Sequence, residues 1–284
     1  QAVAAGNILF GSTIATAGNN LTLNAGPAGN ITVSGALTGG GDLVVVDGAV
    51  QSYQALTVNS LNIQDATTSI TFGGDIAATT TVDVTSGGSI GINGAITTGG
   101  TVDIDSTGVT TIASAGDITS GGAVTFGAVG TGTLTTSGDI DTTDDNITFT
   151  RAVTLAGAVD IDTTGTAAGN ILFSSTIATA GNNLTLDAGA AGNITLSGAL
   201  TGGGNFVVRD GAVQSYQALT VNSLNIQDAT TSISFGGDIA ATATVDVASG
   251  GSIVQNGRIT SATNVNYDAG TTIGINNTIA NSGT

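Results

Sequence analysis

The sequence predicts an all-β fold, a parallel β-solenoid with coils of about 20 residues, continuous over residues 1–284. Three observations predict it: the scarcity of helix formers other than alanine, a long internal repeat, and a shorter period of apolar–polar–apolar triplets inside that repeat.

Composition comes first. The chain has no Cys, Met, Trp or His, and the sequence holds no Lys and no Glu. All 20 acidic residues are therefore aspartates, and the only bases are Arg151, Arg209 and Arg258. Val, Ile and Thr are plentiful, Gly reaches 45, and Pro27 is the single proline. The net charge of −17 argues against nucleic acid, whose phosphates require a basic face. It also argues against anionic membrane surfaces, and suits a self-repelling surface or one that collects cations. Mean hydropathy is +0.35, yet the apolar residues alternate and never form an 18-residue run, so no membrane insertion is expected. A transmembrane barrel needs aromatic girdles, and aromatics are 4%. Without cysteine there is no disulfide framework. The start at Gln1, with no signal-peptide pattern, reads as a processed or excerpted piece.

The long repeat sets the organisation. Residues 4–93 recur as 167–256, offset by 163 and differing at 12 of those 90 positions. The domain reading is one solenoid, with a long repeat over 1–163 and a partial second copy over 164–284. Most changes are mild: Val33 becomes Leu196, Leu43 becomes Phe206, Thr71 becomes Ser234. Val46 becomes Arg209, and Ala95, just beyond, becomes Arg258, so those two sites are expected to face solvent. The second copy stops at Thr284, which matches Gly121, and a stop inside a repeat fits an excerpt.

Within the long repeat, Leu21-Thr22-Leu23, Leu43-Val44-Val45, Leu61-Asn62-Ile63, Val82-Asp83-Val84, Val102-Asp103-Ile104, Val124-Thr125-Phe126 and Ile147-Thr148-Phe149 follow at spacings of 18 to 23. A second row, Gly74-Asp75-Ile76, Gly94-Ala95-Ile96, Gly116-Asp117-Ile118 and Gly138-Asp139-Ile140, keeps a spacing of 20 to 22. The register blurs between Arg151 and Gly169. A strand alternates faces, so the outer residues of each triplet point inward and the middle one outward. Such short strands cannot bury a face alone, but stacked coils can. Leu21, Leu43, Leu61, Val82, Val102 and Val124 are expected to stack inside one parallel sheet. Glycines are expected at corners that require positive φ. Asn7 and Asn30, each between Gly and Ile, are placed to hydrogen-bond along a corner. The long repeat holds about eight coils, and at ~4.8 Å per coil the chain spans roughly 65 Å.

Gly192-Asn193-Ile194-Thr195-Leu196-Ser197-Gly198-Ala199-Leu200-Thr201, followed by three glycines, and Asn183-Leu184-Thr185-Leu186-Asp187-Ala188-Gly189 resemble the repeats of filamentous haemagglutinin-type exoproteins. That group includes bacterial adhesins and the shafts of contact-dependent inhibition proteins. The resemblance covers most of the chain as a pattern. It implies a right-handed parallel β-helix, secretion to the bacterial cell surface, and a role in adhesion. The family's secretion domain carries an Asn-Pro-Asn motif; here Pro27 stands in Ala-Gly-Pro-Ala-Gly, so the likeness is to the shaft.

The candidate chemistry is carried by aspartate. Asp139, Asp141, Asp144 and Asp145 gather near one stretch, and two carboxylates can divide acid and base duties. Polygalacturonase-like glycoside hydrolases use aspartates on a β-helix, and Thr143-Asp144-Asp145 is similar to that usage. They also use a histidine and an Arg-Lys pair, which this chain lacks, so no enzyme is expected. Asp83 and Asp103, and likewise Asp117 and Asp139, take outward positions on successive coils. Carboxylates about 5 Å apart repel unless a cation or water intervenes, and their oxygens suit calcium. The competing reading is a solvated acidic surface. Asp103-Ile-Asp105-Ser-Thr-Gly108 and Asp160-Ile-Asp162-Thr-Thr-Gly165 resemble calcium loops without the full ligand set. Thr79–Thr81 is a local threonine run without the regular array that ice binding needs. Six Asn-x-Ser/Thr sequons, at Asn20, Asn30, Asn146, Asn183, Asn193 and Asn276, arise readily in this composition.

The functional expectation is a structural extracellular or cell-surface shaft of tandem repeats. The alternative is a carbohydrate-binding or carbohydrate-active β-helix, which needs long loops on one side of one stretch. Neither Gln1–Ala5 nor Ile273–Ile279 reads as a cap. Both ends are therefore expected to stack head to tail on further coils or copies, giving a filament whose charge limits sideways clumping.

Overall fold

The computed structural model describes residues 6–127, 132–165, 167, 169–261 and 263–281. Gln1–Ala5, expected to run straight into a coil, lie outside them. The chain divides into two units, Gln1–Asp139 and Ile140–Thr284, each a stack of coils whose strands pair in parallel. Strands are the only regular secondary structure among the described residues.

In the unit 1–139 each coil contributes to three ladders. The first runs Ile8–Phe10, Ile31–Val33, Val50–Tyr53, Ser69–Phe72, Ser89–Ile92, Thr110–Ile112, Leu134–Thr136. The second begins at Ile14–Ala15 and Leu37–Thr38 and ends at Ile96–Thr98 and Ile118–Ser120. The third begins at Leu21–Asn24 and Leu43–Asp47 and ends at Val102–Ser106 and Val124–Gly127. The long strands Leu56–Ile63 and Ile76–Ser86 serve both the second and the third ladder. In the third, Leu21, Leu43, Leu61, Val82, Val102 and Val124 stand in register, as expected. All but the half-buried Leu21 are at most 1% exposed.

The unit 140–284 repeats the design. Its first ladder runs from Ile147–Phe149 to Ile273–Ile275, its second from Val153–Leu155 to Ile279–Asn281, and its third from Ile140–Thr142 to Asn264–Ala269. In the blurred stretch after Arg151 the described strands Val153–Leu155 and Val159–Asp162 keep the coil pattern. Val153 pairs with Ile177 and Val159 with Leu184, so its coil takes 24 or 25 residues, which hid the period. Thr163 closes it from inside, its hydroxyl donating to the Gly169 carbonyl at 2.9 Å.

Burial follows the triplets. In Val102–Ser106 and Val124–Gly127, Val and Ile or Phe face in while Asp103 or Thr125 faces out. Aromatic side chains stack from coil to coil: Phe149 on Phe173 with centroids 4.3 Å apart, and Tyr216 on Phe235 at 5.5 Å. The buried Tyr–Gln pairs are hydrogen-bonded. The Tyr216 hydroxyl donates to Gln214 Oε1 at 2.8 Å, and Gln214 Nε2 donates to the Asp228 carbonyl at 2.7 Å. Tyr53 and Gln51 repeat this pair at 2.8 Å.

The corner glycines depart from expectation in their reason. Positive φ occurs at Gly39 (113°) and Gly40 (72°), but Gly88 and Gly251 have none. There the backbones of successive coils approach so closely that a Cβ would overlap the carbonyl oxygens of Thr68 and Thr231. Inward-facing serines complete these corners: the Gly88 and Gly251 amides donate to the hydroxyls of Ser86 and Ser249, each at 3.1 Å.

Candidate functional site

The third ladder gathers carboxylates on its outer face because the middle position of its triplets holds Asp in several coils. Asp83 and Asp103 stand directly opposite one another, with Asn62 before them and Thr125 after. Asp105 follows two residues on, opposite Thr85. Desolvation raises the Asp83 carboxyl above its ordinary 3.8, and Asp105 adds to this. Asp103 is raised by desolvation, then by Asp105 and Asp83.

Asp117 lies elsewhere in the coil, at the corner leading into the second ladder, and Asp139 stands beside it on the next coil. Asp117 Oδ1 accepts the Asp139 amide at 2.9 Å. The same brace recurs where Asp75 accepts the Ala95 amide at 3.0 Å and Asp238 the Arg258 amide at 2.7 Å. A carboxylate on one coil thus satisfies a backbone donor on the next. The four proposed cation ligands therefore form two separate pairs in different chemical settings. Among the described residues no group of three or more His, Cys, Asp or Glu is placed to hold a metal.

Asparagines brace another corner in the same way. Asn7 accepts from the Asn30 amide at 2.9 Å and Asn30 from Val50 at 3.2 Å. In the second unit Asn146 accepts from Asn170 at 2.8 Å, Asn170 from Asn193 at 2.9 Å, and Asn193 from Val213 at 3.1 Å. The recurring Gly-Asn-Ile pointed to this. The Gly-Asp-Ile recurrence carries the same signal for the aspartate brace.

In the unit 140–284 the third ladder carries a longer acidic column. Asp141 stands in register with Asp162, and Asp162 with Asp187. Burial raises the Asp187 carboxyl, and Asp162 and Asp210 raise it further, against a hydrogen bond from Gly189 and the charge of Arg209. Arg209 Nη2 meets Asp160 Oδ2 at 2.8 Å. Arg209 and Arg258 are exposed as expected, whereas Arg151 is buried. Of the aspartates weighed for acid–base work, Asp144 takes a left-handed backbone (φ 65°) and accepts the Ala167 amide at 2.6 Å.

The Asp83–Asp103 pair yields a direct test. Asp103 matches Asn266 of the second copy, whose Nδ2 donates to Asp246 Oδ1 at 2.9 Å. Asp103→Asn should build that neutral contact in the first unit. Both folded-state pKa values are raised. Ionisation therefore opposes folding: the contribution is full below 3.8 and is lost as pH rises through the raised values. The variant should melt about 1–3 °C higher at pH 7, since like charges directly opposite are destabilising, and the gain should vanish near pH 3. Calcium takes six to eight oxygens and two carboxylates offer at most four. Calcium and magnesium at equal ionic strength should therefore raise the wild-type midpoint equally. A calcium-specific rise abolished by Asp103→Asn would instead establish a calcium site.

The site and its scaffold together define a parallel β-solenoid with acidic ladders and side-chain-braced corners. No known protein family, curated protein or solved structure matches the chain. Among the described residues no helix is long and apolar enough to cross a membrane.

Proposed function

We propose that the chain is a length of structural shaft, an extracellular or cell-surface fibre of the filamentous haemagglutinin type that carries adhesion at a distance from a bacterial cell. The supporting observation is coil uniformity. Ladder partners lie between 18 and 25 residues apart in both units, so the paired coils leave no room for the long one-sided loops of a carbohydrate enzyme. Corners are closed by Asn, Asp, Ser and Thr bonded to the neighbouring coil, which spends their polar groups on stacking. The sequence likeness to adhesin shafts supports the same reading.

The partners in this reading are further coils of the same kind, from repeats or from copies of the chain, stacked head to tail. Ile273, Ile275 and Ile279 occupy core-type positions yet are 41–45% exposed, an apolar edge that a stacked coil covers. Sedimentation of residues 1–284 over a concentration range tests this. Mass should grow with concentration, and Ile275→Asp, which charges the edge, should suppress the growth. A monomer at every concentration would favour an isolated binding module, with surface carbohydrate as its natural ligand.

A further inference from the structure

We propose that Arg209 and Asp187 form, with Asp160, a cross-coil ionic clamp that holds an otherwise self-repelling carboxylate column together at neutral pH. The proposal is independent of the shaft reading.

The geometry starts with a bulge. In the first copy Leu23 pairs with Val45 but Asn24 with Asp47, leaving Val46 as an extra residue. The second copy keeps this arrangement: Leu186 pairs with Val208, and the Ala188 amide donates to the Asp210 carbonyl as Ala25 does to that of Asp47. The extra residue is now Arg209. A bulge re-aims its side chain, and Arg209 reaches back past the Leu184–Asp187 strand to Asp160, two coils earlier.

The surroundings explain what the arginine does there. The charged groups around it are Asp160 and Asp162 on the Val159–Asp162 strand, Asp187 on the intervening strand, and Asp210 beside it. Asp141 extends the column on one side, and Asp228 follows the Leu224–Ile226 strand on the other. Asp162 and Asp187 are directly opposite, the arrangement that destabilises a parallel ladder when both are ionised. A guanidinium spanning two coils sets one positive charge against this row.

The two copies differ here in a concerted way. The position of Asp187 is Asn24 in the first copy, and that of Arg209 is Val46. The acid and the base thus differ between copies together, on adjacent strands of one ladder, while most of the other substitutions leave charge unchanged. The first copy has neither charge and keeps the same bulge.

The test uses the full chain and the residues of the first copy: Arg209→Val, Asp187→Asn and the double variant, each melted across pH and salt. Arg209→Val should lower the midpoint by about 1–3 °C at pH 7 and low salt, because the pair is partly exposed. The deficit should shrink in about 1 M salt, where screening is short-ranged, and should narrow at acid pH, where Asp187, its carboxyl raised above the ordinary 3.8, takes up a proton and the column loses charge. Asp187→Asn in the Arg209→Val background should recover most of the loss. A deficit that ignores salt, pH and Asp187→Asn would make Arg209 a packing residue and overturn the clamp, as would no deficit at all.

Discussion

Gly251→Ala is expected to destabilise the unit 140–284 by roughly 2–3 kcal/mol, among the largest single-methyl effects in the chain. The added Cβ would overlap the Thr231 carbonyl oxygen, which belongs to backbone and not to a flexible side chain. Relief requires the two coils to part at that corner. That strains the Gly251–Ser249 contact and the ladder behind it, where Ile253 pairs with Ile233. Gly88→Ala, which meets Thr68, should cost the same in the first unit. The control is Gly274, where an added methyl would find nothing within 4 Å and the backbone has no positive φ; its alanine variant should be close to neutral. The second copy already carries a larger side chain at a comparably open position, since Gly91, where an added Cβ would meet its nearest atoms at 4.0 Å, is Val254 there. Thermal denaturation followed by circular dichroism separates the outcomes. Equal midpoints for Gly251→Ala and Gly274→Ala would show that close coil approach is not what selects glycine at this corner.

Tyr216→Phe is the second large effect, expected at about 1–3 kcal/mol. It deletes no apolar contact, and the ring remains stacked on Phe235. It removes the donor to Gln214 Oε1, a fully buried atom that water cannot then reach. Because the cost lies in the orphaned acceptor, Gln214→Leu combined with Tyr216→Phe should be less destabilised than Tyr216→Phe alone. A double variant that is worse by the sum of the singles would instead mean that the Gln214 bond to Asp228 dominates.

The strand positions, the inward row and the coil length could all be read from the triplets, because a two-residue alternation and a 20-residue spacing leave only one way to bury Leu43, Leu61 and Val82. What lay hidden depends on which atoms of one coil face the next. Asp117 and Asp83 occupy the same kind of polar position in sequence. One lies at a corner where a backbone amide waits, and the other faces a second carboxylate. Gln51 and Tyr53 stand where a core reading expects apolar residues, and only their mutual hydrogen bond makes that burial tolerable. Positive φ at a corner glycine is a single-residue property. At Gly88 the constraint is a distance between residues 20 apart. The Val153–Leu155 and Val159–Asp162 strands fall out of the 20-residue spacing because a longer coil shifts them while leaving their alternation intact.

The narrow range of ladder spacing has a kinetic side. Each pairing closes a loop of about 20 residues, and loop-closure entropy grows only with the logarithm of that length. β-proteins ordinarily fold slowly because strands distant in sequence must find each other. Here Val124 needs only Val102, and Val102 only Val82, so contact order stays low however many coils are added. Nucleation in any one coil offers its neighbour a ready template, and order spreads by repeated local steps. Lengthening such a chain multiplies these steps without slowing any of them.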